Sequence, residues 1–264
     1  MSLQELYAAA VQETNSGHYA DAICKLELIQ TNEISEGDKA NIYLLLGGLL
    51  LAVGNNEEGV QRLVEALAIA PDNAAGWSNL SEGWRRLGRF DEALKSVRKA
   101  LALNPDHPEA HSNLGNTLRE LNRPREAEAS YRQAIALKRD NADAYFNLGN
   151  TLRELSRLKE AETSYRQAIA VKADYAEAHN NLGVTLRELR RPKEAETSYR
   201  QAIALKPDYA EAHNNLGITL KGLNRPEEAE ASYRQAIMLK PEYAEAHSNL
   251  GMMLKELNRL EEAE

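Results

Sequence analysis

A unit as long as 176–209 recurs along this chain at one fixed period, and no other feature constrains its fold as strongly. The segment AEAHNNLG at Ala176 returns at Ala210, one full unit later. Residues 176–209 and 210–243 differ at 8 of 34 positions, as do 142–175 and 176–209. The period runs back through 108–141, 74–107 and 40–73, and forward into 244–264, the first part of an eighth unit. A more diverged first unit, 3–39, is slightly longer than the others. A unit of this size cannot bury its apolar face alone, so neighbours must stack into one repeat domain, expected over 1–264.

Each unit reads as two helices. Ala outnumbers every other residue type, and Ala and Leu (39 and 37) far exceed Val and Ile (7 and 10). That bias favours helix, because β-branched residues lose side-chain freedom there. In 176–209, Ala178, Leu182, Leu186 and Leu189 fall on one helix face, predicting a first helix from about Ala176 to Leu189. Arg190-Arg191-Pro192 breaks the pattern, and Pro suits the first turn of a second helix carrying Ala195, Tyr199, Ala202, Ile203 and Leu205. Lys206-Pro207-Asp208 turns the chain into the next unit. Ser2-Leu3-Gln4-Glu5 has capping-box spacing and predicts the first helix start.

Positions are counted from the first residue of each unit. Position 8 is small (Gly47, Ser81, Gly115, Gly149, Gly183, Gly217, Gly251), as are position 20 (Gly59, Ala93, Ala127, Ala161, Ala195, Ala229, Ala263) and position 27 (Ala66 to Ala236). Gly costs a helix interior about 1 kcal/mol, so its recurrence implies close helix approach. Bulk at position 4, Leu-Gly at 7 and 8, Ala at 20, Tyr or Phe near 24, Ala at 27 and Pro at 32 together resemble the tetratricopeptide repeat family across nearly the whole chain. The resemblance implies an all-α fold, a right-handed α-solenoid superhelix of stacked antiparallel helix pairs, whose first helices line a concave groove. Two features depart from the family pattern. Position 32 is Arg139 or Ala173 in two units, which is expected to loosen those turns, and position 21, often apolar, is Glu128, Glu162, Glu196 and Glu230.

Several classes are excluded. One cysteine, Cys24, makes neither an intrachain disulfide nor a Cys-rich metal site. The first residues lack a basic signal-peptide region, and the longest apolar run, 42–53, is too short to span a bilayer, so a cytoplasmic protein without membrane partner is expected. A pI near 5.4 argues against nucleic acid. Residues 1–73 hold 11 acids and 3 bases, whereas 74–264 balance at 29 and 29. The acidity therefore belongs to the diverged first units, which are expected to supply partner selectivity or a soluble cap.

No phosphate loop or nucleophile elbow appears, so no catalytic residue and no cofactor are assigned. The pairs Glu227-Glu228 and Glu261-Glu262 stand at starts of second helices, where carboxylates suit the dipole. His111, His179, His213 and His247 all occupy position 4, but neighbouring repeats are spaced by about 10 Å. Zinc ligands lie about 2 Å from their ion. These histidines are read as packing groups, like Leu6, Tyr43, Trp77 and Tyr145 at the same position.

The candidate binding residues are the asparagines at position 6: Asn79, Asn113, Asn147, Asn181, Asn215 and Asn249. Asn is a mediocre helix former. Its amide, with one acceptor and two donors, matches a peptide backbone. The series is similar to the asparagine ladder in the repeat domain of O-linked N-acetylglucosamine transferases. The alternative is a family-wide preference, with the side chain bonding locally. Position 12 is basic, including Arg119, Arg153, Arg187 and Lys221; positions 2 and 13 are mostly acidic. These stripes read either as a solvated face with internal pairs or as groups biasing the ligand's side chains. The family branch that clamps chaperone carboxylates carries Lys at position 5, where this chain has Ser112, Phe146, Asn180, Asn214 or Ser248. The reading is therefore a non-enzymatic scaffold binding an extended protein or peptide segment in its groove. Two alternatives stand beside it. The unfinished unit at Glu264 suggests the substrate-recruiting part of a larger enzyme such as a peptide glycosyltransferase. The apolar Leu250, Met252, Met253 and Leu254 suggest end-to-end self-association into a rod.

Overall fold

The computed structural model describes residues 2–29 and 34–257, and these contain helices and no strand. They fall into two compact units divided after Lys138. The first holds α1 (Leu3–Asn15), α2 (Tyr19–Glu27), α3 (Glu36–Ala52), α4 (Asn56–Ile69), α5 (Ala74–Arg86), α6 (Phe90–Leu103), α7 (Pro108–Glu120) and α8 (Pro124–Leu137). The second holds α9 (Ala142–Glu154), α10 (Leu158–Val171), α11 (Ala176–Glu188), α12 (Pro192–Leu205), α13 (Ala210–Gly222), α14 (Pro226–Leu239) and α15 (Ala244–Glu256). Each odd-numbered helix up to α13 packs most extensively on the even-numbered helix that follows it. The pairs then stack, α4 on α5 and α6 on α7 in the first unit, α10 on α11, α12 on α13 and α14 on α15 in the second.

Local chemistry sets the helix ends where the pattern predicts them. Ser2 and Glu5 form the reciprocal capping box, Ser2 Oγ accepting from the Glu5 amide while Glu5 accepts from the Ser2 amide. Pro124, Pro192 and Pro226 stand in the first turns of α8, α12 and α14. Between the two helices of each pair, position 15 takes a left-handed backbone. It is Gly54 and Gly88 early in the chain, then Asn122, Ser156, Arg190 and Asn224 with φ from 57° to 62°. Asn tolerates this region; Arg is strained there, because its Cβ crowds the following carbonyl. Arg190→Gly is therefore expected to raise stability by about 1 kcal/mol, read from the denaturation midpoint.

The core is built from the small positions and one ring. Ala127, Ala161, Ala195 and Ala229, and Ala134, Ala168, Ala202 and Ala236, are buried, as are Tyr131, Tyr165, Tyr199 and Tyr233 at position 24. Each tyrosine ring packs against a position-8 glycine of the preceding helix. A Cβ added to Gly115, Gly149, Gly183 or Gly217 would sit 2.6 or 2.7 Å from that ring's Cε1. Where position 8 is Ser81, position 24 is Val97; where it is Gly47, the contact is Leu63. The small residue and the bulky one are thus a matched pair.

Position 21 is explained by ion pairs between neighbouring repeats. Glu162 accepts from Arg191 at 2.7 and 2.8 Å, and Glu196 from Arg225 at 2.9 and 2.8 Å. Arg191 and Arg225 also bond Glu194 and Glu228 on their own helices. A carboxylate stands where the family prefers an apolar group because the next unit supplies a guanidinium to meet it. In α15, Met253 and Leu254 are buried, Leu250 is half-buried and Met252 is exposed. The Glu261-Glu262 pair and Ala263 lie outside the described residues.

Candidate functional site

Odd-numbered helices touch one another within each unit: α3 with α5 and α5 with α7, then α9 with α11, α11 with α13 and α13 with α15. Position 6 lies along this row. Asn79 is exposed, and Asn113, Asn147, Asn181, Asn215 and Asn249 are half-buried.

Their amides do a job that the sequence reading missed. Asn113 Nδ2 donates to Ser78 O and Oγ, both at 3.1 Å. Asn215 Nδ2 donates to Asn180 Oδ1 at 3.1 Å and Asn249 Nδ2 to Asn214 Oδ1 at 3.0 Å. In each case the acceptor is position 5 of the preceding repeat. For Asn181 that position is Phe146, whose side chain has no acceptor, and Asn181 donates instead to Asn150 Oδ1 at 2.9 Å. The ladder therefore pins successive first helices to one another. A signal was present in the sequence: polar Ser78, Asn180 and Asn214 stand one position earlier in the preceding unit.

This use leaves capacity over. A carboxamide carries two N–H donors and an acceptor oxygen. Among the described residues, one donor group bonds the neighbouring repeat, while Asn215 Oδ1 and Asn249 Oδ1 accept no hydrogen bond.

The flanking charges are largely paired. Position 12 reaches position 13 of the next repeat, Arg85 to Glu120 at 3.7 Å, Arg153 to Glu188 at 3.5 Å and Lys221 to Glu256 at 2.8 Å. Arg119 and Arg187 are half-buried on the same face. At position 2, Glu109, Glu177 and Glu211 pair with Lys138, Lys206 and Lys240, while Asp143 accepts from the Tyr175 hydroxyl at 2.8 Å.

The position-4 histidines bond the turn before their own helix. The ring Nε2 atoms of His111, His179, His213 and His247 lie 2.8, 3.3, 3.1 and 2.8 Å from the carbonyls of Pro105, Ala173, Pro207 and Pro241. Trp77 Nε1 donates to Pro71 O at 2.8 Å in the same way. In the five units with His or Trp at this position, a ring nitrogen meets the turn carbonyl. The longest of these contacts falls at Ala173, where the turn proline is absent.

The tyrosine hydroxyls are not uniformly satisfied. Tyr131 and Tyr165 donate to Asn116 and Asn150 at position 9. In the next two units position 9 is Val184 and Ile218, and the buried Tyr199 hydroxyl has no partner. Burial pushes the phenols of Tyr165 and Tyr233 up to about 12, and that of Tyr199 further.

This architecture, helix pairs repeating at one period, joined by a left-handed turn residue and packed through Gly-Tyr contacts, defines a helical repeat protein. Tetratricopeptide repeat models match 72–140 and 174–241, and a second such model matches 112–174. The chain belongs to the tetratricopeptide repeat family. Among solved structures, MamA is 25% identical with a TM-score of 0.58, covering 62% of this chain and 96% of its own. PilF of Pseudomonas aeruginosa is 20% identical with a TM-score of 0.72, covering 85% and 98%. YrrB, described as having an unusual peptide-binding site, is 23% identical with a TM-score of 0.59, covering 70% and 95%. No curated protein matches the chain. The family fold is a scaffold for protein–protein interaction. No helix among the described residues is long and apolar enough to cross a membrane.

Proposed function

We propose that the chain is a scaffold, one repeat domain over 1–264, that binds an extended polypeptide segment along its first helices, with position-6 asparagines pairing to the ligand backbone. The observation that carries this reading is the unused capacity of the ladder. Each pinned carboxamide is already oriented by its bond to the preceding repeat, so a ligand meets acceptors and donors whose ordering cost is already met. Neighbouring helices are spaced by about 10 Å, and an extended chain advances about 3.3–3.6 Å per residue. One asparagine therefore serves about three ligand residues. Each backbone bond contributes roughly 0.5–1.5 kcal/mol, so affinity accumulates over several rungs.

The test replaces Asn147, Asn181 and Asn215 with Ala in the full chain. Peptides selected from a random library against the parent protein are expected to bind the triple variant at least about tenfold more weakly, from three lost bonds. The variant also loses the internal bonds of Asn181 and Asn215, so helicity and melting are measured beside binding. Unchanged affinity in a folded variant overturns the proposal.

A further inference from the structure

Five position-12 cations are followed by another unit, and for four of them the sequence has a glutamate at position 13 of it. These are Arg85 with Glu120, Arg119 with Glu154, Arg153 with Glu188 and Lys221 with Glu256. The fifth, Arg187, finds Gly222. The three pairs described above close at 3.7, 3.5 and 2.8 Å, so a position-12 cation can reach position 13 of its successor. Arg187 has no side-chain ion pair or hydrogen bond among the described residues. Nearby carboxylates are taken, Glu188 by Arg153 and Glu256 by Lys221. A Cβ built on Gly222 meets nothing within 4 Å, so the space that a glutamate fills in the other units stands open.

A second departure falls at the same rung. With Val184 in place of the position-9 asparagine, the hydroxyl of Tyr199, a residue 0% exposed, has no hydrogen-bond partner. The charge of Arg187 opposes the upward push of burial on both Tyr199 and Tyr233. Asn181 and Asn215 flank it on the same row of helices. A half-buried guanidinium with no counter-ion, in the same unit as an orphaned hydroxyl, lacks one anion.

We infer that Arg187 receives the carboxylate of an Asp or Glu side chain of the bound segment, in the space left open by Gly222. This rests on the proposed binding of a polypeptide along the first helices and names the side chain it must carry. A guanidinium takes a carboxylate through two parallel N–H bonds, which fixes orientation as well as adding affinity. The site also supplies register. Units 142–243 are near copies, and equivalent asparagines hold a backbone equally well when it slides by one rung. One cation whose successor unit has no glutamate to offer, among four whose successors have one, removes that degeneracy.

The test selects random peptides of about twelve residues, long enough to span about four rungs, against three full-length proteins: the parent, Gly222→Glu and Arg187→Gln. Gly222→Glu supplies the missing intramolecular partner into open space and is expected to fold as the parent does. Peptides from the parent are expected to carry Asp or Glu at one fixed place, and its change to Asn or Gln to weaken binding about tenfold. Against both variants that preference is expected to vanish while binding through the remaining rungs persists. An acidic preference retained by both variants, or absent from the parent's peptides, overturns the inference. Peptides that bind the parent and weaken with the triple asparagine variant, yet show no acidic preference, leave the groove reading standing and remove only this one. If no peptide binds the parent, both fall.

Discussion

Gly183→Ala is expected to lower stability by about 2 kcal/mol, although the same substitution at an exposed helical site gains about 1 kcal/mol. The added Cβ would stand 2.7, 2.8 and 2.9 Å from three atoms of the Tyr199 ring. That ring is wholly buried and has no room to withdraw. Interiors this dense transmit the strain instead of absorbing it. Gly222→Ala is the control, because its Cβ meets open space at the end of α13, and it is expected to be stabilising. The double change Gly183→Ser with Tyr199→Val copies the pair that the chain already uses at Ser81 and Val97. It is expected to cost less than the sum of its two single changes, measured as a coupling free energy in denaturant unfolding. Additive costs would show that glycine and ring are not matched to each other.

Alkaline unfolding is the second large effect. Free tyrosine ionises near 10, whereas burial holds Tyr165 and Tyr233 near 12 and Tyr199 higher still. A group whose folded value is raised contributes stability in full below its unfolded value. That contribution is lost as pH climbs from about 10 through the folded value. A rise of this size corresponds to roughly 3 kcal/mol for each of Tyr165 and Tyr233. Several such residues in one chain bring unfolding within reach above about pH 10. Phenolate absorbance and helical circular dichroism, followed together, are expected to show these buried rings ionising only as helicity is lost. Gradual ionisation at ordinary values in a still-helical protein would contradict the packing described.

The helix pairs were legible in the sequence because the same spacing is stated again and again. Ala178, Leu182 and Leu186 mark one face, Pro192 opens the next helix, and both ends fall within a residue of the expected ones. The function of position 6 was legible only in part. Reading down a single unit shows Asn215 on the first helix but not that Asn180, in the unit before, accepts from it. Contacts of this kind join position 6 to position 5 across a repeat boundary, so they appear only when adjacent units are read side by side. Position 21 was obscure for the same reason: Glu162 looks out of place until Arg191 is set against it. The histidines read as packing groups in the sequence, and the structure adds a contact from each ring Nε2 to a turn carbonyl.

The bonds between repeats also bear on how such a chain changes length. In the regular units, Arg191 and Arg225 reach the unit behind, Glu162 and Glu196 receive the unit ahead, and Asn181 and Asn215 face backwards in the same sense. Loss of 176–209 as a block would bring Arg225 to Glu162 and Asn215 to Asn150, partners of the kinds they or their equivalents already have. At positions 6, 16 and 21, a joint made by excision or duplication of one such period repeats the chemistry of the joints around it. Recombination between near-identical stretches can therefore lengthen or shorten this array without leaving a flawed seam, while an insertion of any other length breaks every contact of this kind at the seam.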